Sequence, residues 1–183
     1  MRDAAPPYAN EGPQALWHVS EDPAIDRFEP HVSETAEERE PLVWAIDTRH
    51  LPLYWFPRQC PRGTFWACRS TTPADATRLL GGSTRVHAVE EGWLERMRTT
   101  AVFAYRLPEA SFKPHPEVGG YWVSQAIVEP IEVQALDDLV SRHERAEIEL
   151  RAVPNLWPLW NDVVASTLEF SGMRLRNALP RPP

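Results

Sequence analysis

Apolar residues in this chain gather in short blocks cut apart by proline, glycine and polar residues, and the period of each block suggests an element. ALWHVS (15–20) predicts a first strand, broken by Ser20, Asp22 and Pro23. Side chains alternate along a strand, so His18 and Ser20 fall on one face. LVWAID (42–47) is a near-continuous apolar run and predicts a buried strand. Residues 51–56 predict a short helix stopped by Pro57, and GTFWACR (63–69) the next strand. Thr72 is a good N-cap, with Pro73 at the first helical position and Asp75 three residues past the cap. That helix is expected to end at Gly81 and Gly82.

RVHAVE (85–90) predicts a strand and GWLERMRTT a helix after it. AVFAYRLP (101–108), GGYWVSQ (119–125) and IVEPIEV (127–133) predict three more strands. Pro130 lacks a ladder donor and sends the last of these to an edge or a bulge. A helix over 138–145 leads to a strand at AEIELRAV (146–153). Trp160, Val164, Leu168, Ser171 and Leu175 recur at helical spacing and predict a final helix over 159–177. Strands and helices mix without a βαβ rhythm, so the expected fold class is α+β: one domain with a twisted, mainly antiparallel split sheet. Residues 1–14 lack periodicity and predict a disordered leader, 15–178 the globular domain, and 179–183 a tail. The charged run SETAEERE (33–40) predicts a solvated loop or a short exposed helix.

Composition changes this picture in two places. Eight tryptophans imply a heavily aromatic core or an aromatic-lined pocket. The formal net charge is −7, which argues against general nucleic-acid binding, since that needs a broad basic face. Against this acidic background, no acidic residue falls between Asp47 and Asp75, where Arg49, Arg58, Arg62 and Arg69 lie among Tyr54, Trp55, Phe56, Phe65 and Trp66. Such a stretch suits an anion and something flat. No apolar run reaches the roughly 18 residues of a membrane span, no secretory h-region follows Met1, and two cysteines make no disulfide framework. The expected compartment is the cytoplasm. Oligomeric state is not legible.

Candidate chemistry is sparse. The six histidines are scattered, with no HExxH and no CxxC, so no metal site is expected. Phosphate-binding glycine loops and GxSxG are absent as well. Arg58 and Arg62 in FPRQCPR can act as an anion clamp or lie over aromatic rings. Between them Cys60 is either a packed small hydrophobe or a nucleophile whose pKa the arginines lower, with His18 as its base. Glu147 and Glu149, two apart in AEIEL, are a paired-carboxylate candidate or the polar face of a sheet.

Taken together, LWHVSEDPAIDRFEPH, PLVWAIDTRHLPLYWFPRQCPR, YWVSQAIVEPIEV and LWPLWNDVVASTLEFSGMRLRNA resemble an uncharacterised bacterial family with a domain of unknown function, which implies no activity. A more distant resemblance is to ADP-ribosyltransferase-like domains, through a first strand with a His and a hydroxyl two residues on, an aromatic strand-then-helix unit, and later antiparallel strands. In such enzymes the His orients the NAD ribose, aromatics sandwich the nicotinamide, and a later glutamate stabilises the transition state. That resemblance implies His18 and Ser20 for the first element, and Trp44 and Tyr54 for the sandwich. It departs at the third, where GGYWVSQ has Tyr121 or Gly120 in place of glutamate; Glu147 and Glu149 spell ExE but lie beyond that strand pair.

The leading functional expectation is a nucleotide-type, NAD-like pocket built from His18, Ser20, Trp44, Tyr54, Arg58 and Arg62, with Glu149 and Cys60 as the weaker catalytic candidates. The rivals are a non-catalytic interaction protein whose aromatics are core, and a Cys60/His18 acyl-transfer enzyme.

Overall fold

Two sheets divide the strands between them, and the gap at one end of their interface becomes the site. The structure, a computed structural model, describes residues 4–32 and 40–182. The larger sheet contains β1 (Leu16–Ser20), β2 (Val43–Asp47), β5 (Val102–Leu107), β6 (Lys113–Pro114), β7 (Tyr121–Ser124) and β8 (Glu132–Leu136), in the order β6-β7-β2-β1-β5-β8 and antiparallel throughout. The smaller contains β3 (Arg62–Trp66), β4 (Arg85–Glu90), β9 (Glu149–Val153) and β10 (Glu169–Met173), in the order β10-β3-β4-β9, with only β4 and β9 parallel. The chain is therefore a mixed α+β domain with two antiparallel-dominated sheets.

Strand alternation supplies three apolar layers. Trp17 and Ile46 from the larger sheet meet Trp66 and Val89 from the smaller in a core between the sheets, joined by Met97 and Leu139 from α2 (Leu94–Thr99) and α3 (Leu139–Arg145). Leu16, Val43, Ala45 and Tyr105 point to the other face of the larger sheet, where Phe28 and Val128 cover them. Phe65, Val86 and Ala88 sit on the outer face of the smaller sheet, under Leu79 and Leu80 and under Leu156 and Val163 of α4 (Leu156–Val164).

Several expected elements shift. Thr72 caps α1 (Pro73–Asp75), which runs on as a π-helical turn over Ala76–Leu80 to Gly81 in the left-handed conformation (φ 60°). The helix expected over 51–56 is a 3₁₀ helix, Thr48–Tyr54, that starts three residues earlier because Asp47 caps it by accepting from the His50 backbone N–H. In IVEPIEV the break falls at Pro130: Val128 makes a single bridge to Phe28, and β8 begins only at Glu132, at the sheet edge. Glu147 precedes its strand at φ 55°, so the expected face shared by Glu147 and Glu149 does not form.

The largest correction is at the C-terminal end, where the helix expected over 159–177 is α4, then β10, then a 3₁₀ turn at Leu175–Asn177. Ser166 Oγ donates to the Val163 carbonyl and accepts from Leu168 N–H, which closes the helix with a local alternative to its ladder. The chain then folds back beneath Trp160, and only a glycine fits at 172: a Cβ there would lie 2.6 Å from the Trp160 ring.

Residues 4–14, expected as part of a disordered leader, lie along the body. Ala5 is buried and its N–H donates to His50 Nε2, while Tyr8 meets Trp55 edge-on. Most of the charged run SETAEERE lies outside the described residues.

Candidate functional site

Beyond Trp17 and Ile46 the β1–β2 ladder stops and the strands part. A cleft of about 720 Å³ opens there, between the diverging ends of β1 and β2 and the end of β10. His18, Ser20, Trp44, Tyr54, Arg58 and Arg62 all line it. They arrive from three directions: the end of β1, the strand and 3₁₀ helix of the Pro41–Trp66 region, and the start of β3.

The six do not share one sheet face. Register pairs His18 with Tyr105, on the Phe28 side, and the His18 ring lies 4.6 Å from Phe28. Trp44 alternates to the opposite side with Ile46. His18 joins the cleft through the gap itself, where its Nδ1 lies 3.0 Å from the Trp44 carbonyl and takes the place of a ladder bond. A carbonyl can only accept, so Nδ1 carries the proton. Burial lowers the pKa of His18; the bond to Trp44 opposes this, and His31 and Arg58 push it further down. A neutral ring with its lone pair on Nε2 follows.

Trp44, Tyr54 and Tyr121 make the aromatic wall. Tyr121 meets Trp44 and Tyr54 edge-on at 6.2 and 6.4 Å, and the two phenol oxygens are 2.9 Å apart. His115 stacks on Trp44 at 5.1 Å, which covers one face of the indole. Burial raises both phenol pKa values, so the pair is uncharged at neutral pH.

Four arginines line the cleft, and none of them makes an ion pair with a carboxylate among the described residues. Arg62 is only 4% exposed. Its Nε and Nη1 donate to the carbonyls of Leu53 and Cys60, its Nη2 reaches Met173 Sδ, and the guanidinium lies over Tyr54 and Phe56. Burial lowers its pKa, yet no carboxylate answers the charge. Arg58 is exposed at the lip, with its backbone N–H on Glu21 Oε1. Arg174 and Arg176 come from the turn after β10, which the expected helix had concealed. Tyr121, Glu21 and Met173 are likewise lining residues that sequence reasoning did not assign to the site.

The two weaker catalytic candidates fall elsewhere. Cys60 is fully buried and its thiol donates to the Pro61 carbonyl; burial pushes its pKa up to about 12, against the opposing charge of Arg62. No thiolate is available there near neutral pH. Glu149 lies on β9, at the edge of the smaller sheet opposite β10, bonded to Ser83 and Arg151. Burial acts to raise its pKa, but those two bonds outweigh it and hold the carboxylate low. Among the described residues, no group of three or more His, Cys, Asp and Glu gathers as a metal would require, and Glu21 is the lining carboxylate.

Fold and site together define an α+β domain whose parted sheets hold a cationic, aromatic-walled cleft. The chain belongs to a family of unknown function (DUF6886), which matches residues 17–178. No curated protein and no solved structure matches it. No helix among the described residues is long and apolar enough to cross a membrane.

Proposed function

We propose that this domain binds an anionic, nucleotide-type small molecule in the cleft, with NAD or a related nucleotide as the candidate ligand and the cytoplasm as its setting. The observation that carries the reading is four arginines without carboxylate partners among the described residues, beside the wall of Trp44, Tyr54 and Tyr121, in a chain of net charge −7. A flat base stacks on such a wall, and guanidinium forks match phosphate oxygens. The sequence resemblance to ADP-ribosyltransferase-like domains supports NAD in particular, through His18 and Ser20 at the mouth of the cleft. Binding rather than turnover is the activity proposed, because the resemblance puts Tyr121 or Gly120 where those enzymes carry their glutamate.

The test is a thermal-shift titration with NAD, ADP-ribose, AMP and ATP. A ligand at about 100 times its Kd adds about 2.7 kcal/mol, or roughly 5–10 °C for a domain of this size. No shift with any of them at millimolar concentration refutes the reading. It would favour the interaction-protein alternative, for which the exposed Ile131 (61%) and Val133 (49%) at edge strand β8 are the supporting observation.

A further inference from the structure

The arginine end of the cleft is assembled by a contact remote in sequence. Asn177 Nδ2 donates to the Gln59 carbonyl (2.8 Å) and to Gln59 Oε1 (3.0 Å). Arg58 precedes Gln59 and Arg176 precedes Asn177, so this clasp sets two exposed arginines on adjoining lips of the cleft. Arg174 is held in the left-handed conformation (φ 54°) by the Asn177 N–H on its carbonyl. That conformation costs a non-glycine residue about 1 kcal/mol or more. Arg62 forms the floor, tied through Met173 to the same turn. Among the described residues, none of the four guanidinium groups is paired with an acidic side chain. Glu21, at the same mouth, accepts from the Arg58 backbone N–H rather than from its guanidinium.

We infer that this rim is a polyphosphate subsite, which takes a ligand bearing two or more linked phosphoryl groups. The inference rests on the nucleotide-type reading of the cleft and specifies its ligand. Charge balance decides the number of groups. One phosphoryl group carries at most about two negative charges, which leaves half of a four-arginine rim repelling itself. Two linked groups offer more oxygens to the four guanidiniums than one group does, and they span the separate segments, 58–62 and 174–176, that carry them. The clasp then conditions the subsite: without Asn177 on Gln59, the lips carrying Arg58 and Arg176 lose their direct contact and keep the pairing of β10 with β3 beneath them.

The test is isothermal titration of the full chain with orthophosphate, pyrophosphate and tripolyphosphate at constant ionic strength, alongside adenosine and ATP. Pyrophosphate is expected to bind at least about tenfold more tightly than orthophosphate. Arg58→Gln and Arg176→Gln should each weaken pyrophosphate by about tenfold, as the loss of one charge-assisted contact. Asn177→Ala should weaken it with both arginines still present, and Arg98→Gln, on α2 outside the cleft, should not. Circular dichroism confirms that each variant is folded. Orthophosphate binding as tightly as pyrophosphate overturns the inference, and so does pyrophosphate binding that ignores Arg58→Gln and Arg176→Gln. Adenosine and ATP binding equally while pyrophosphate does not bind overturns the subsite and leaves the cleft reading standing; failure of adenosine and ATP together removes both.

Discussion

His87 and His143 form a fully buried pair behind Phe56, and their bonding predicts how stability should depend on pH. His143 Nδ1 lies 2.6 Å from the Leu139 carbonyl and therefore donates to it. Its Nε2 keeps a lone pair and accepts from His87 Nδ1 at 3.0 Å, which leaves His87 Nε2 buried without a partner. Both rings are neutral in this arrangement. A further proton would set N–H against N–H in the pair, or put a cation where nothing accepts it. The charges felt by His143 are those of Arg85, Arg142 and Arg62, which add to burial in lowering its pKa to about 4 against the bond to Leu139; His87 is also held well below the ordinary range, first by burial.

A folded-state pKa below the unfolded value means the native protein binds fewer protons. The stabilisation is present above about pH 6.5 and is lost as pH falls toward about 4. From His143 alone, the loss between pH 7 and pH 4.5 is about 2 kcal/mol. Urea melts of the wild type and of His143→Gln, which is uncharged and can still donate to Leu139, isolate this contribution because the carboxylates titrate alike in both. The wild type should lose about 2 kcal/mol more than the variant over that range. Equal losses would show that the pair is not neutral, or not buried as described.

Other consequences are equally direct. Gly172→Ala sets a methyl against Trp160 and should cost about 1–3 kcal/mol in a denaturant melt; a neutral result would mean that β10 does not pass under α4 as the geometry requires. Iodoacetamide at pH 8 should label Cys68, whose pKa is lowered by bonds to Ser70 and Thr71, and should reach Cys60 only after unfolding; native labelling of Cys60 would refute its packing role. Purified protein should release nicotinamide from NAD at least about two orders of magnitude more slowly than an enzyme with the full constellation, since a missing fixed charge at the reacting ribose is worth about 3 kcal/mol. Ready turnover, abolished by Glu21→Gln, would show that Glu21 supplies the charge from just after β1 instead.

Much of the fold was legible where local chemistry and tertiary demand agree. RVHAVE forms β4 at the expected bounds because Val86 and Ala88 face one layer while His87 and Val89 face the other, so neither face resists burial. The C-terminal stretch failed for the opposite reason. Trp160, Leu168 and Leu175 do recur at helical spacing, but a residue far away in the fold decides their fate: β3 offers an open edge, and Glu169–Met173 completes it. Periodicity cannot register a vacant edge elsewhere in the chain. The N-terminal stretch hid its order in the same way, since Ala5, Tyr8 and Pro6 gain partners remote in sequence: His50, Thr48 with Trp55, and Arg85.

The same physics divides the candidate site into a legible and an illegible half. Trp44, Tyr54, Arg58 and Arg62 lie in the Pro41–Trp66 stretch, whose arginines and aromatics depart from the rest of an acidic chain, His18 was marked by the resemblance, and the structure gathers all of them around one cleft. Arg174 and Arg176 carry no such mark, because arginine is nearly the only basic residue this chain uses and one more on a presumed helix means nothing. What distinguishes the arginines of the cleft is that four of them without a carboxylate partner among the described residues gather around one opening; Arg85, outside it, is likewise held by carbonyls, those of Pro6 and Arg49. Elsewhere on the surface, arginines such as Arg78, Arg106 and Arg151 sit beside carboxylates. Those of the cleft are fixed by carbonyls, a sulfur and the Gln59–Asn177 clasp, so no carboxylate among the described residues answers their charge. An uncompensated cationic cluster costs stability in the empty protein and is relieved when an anion enters. The arrangement is therefore accounted for by a ligand better than by the fold.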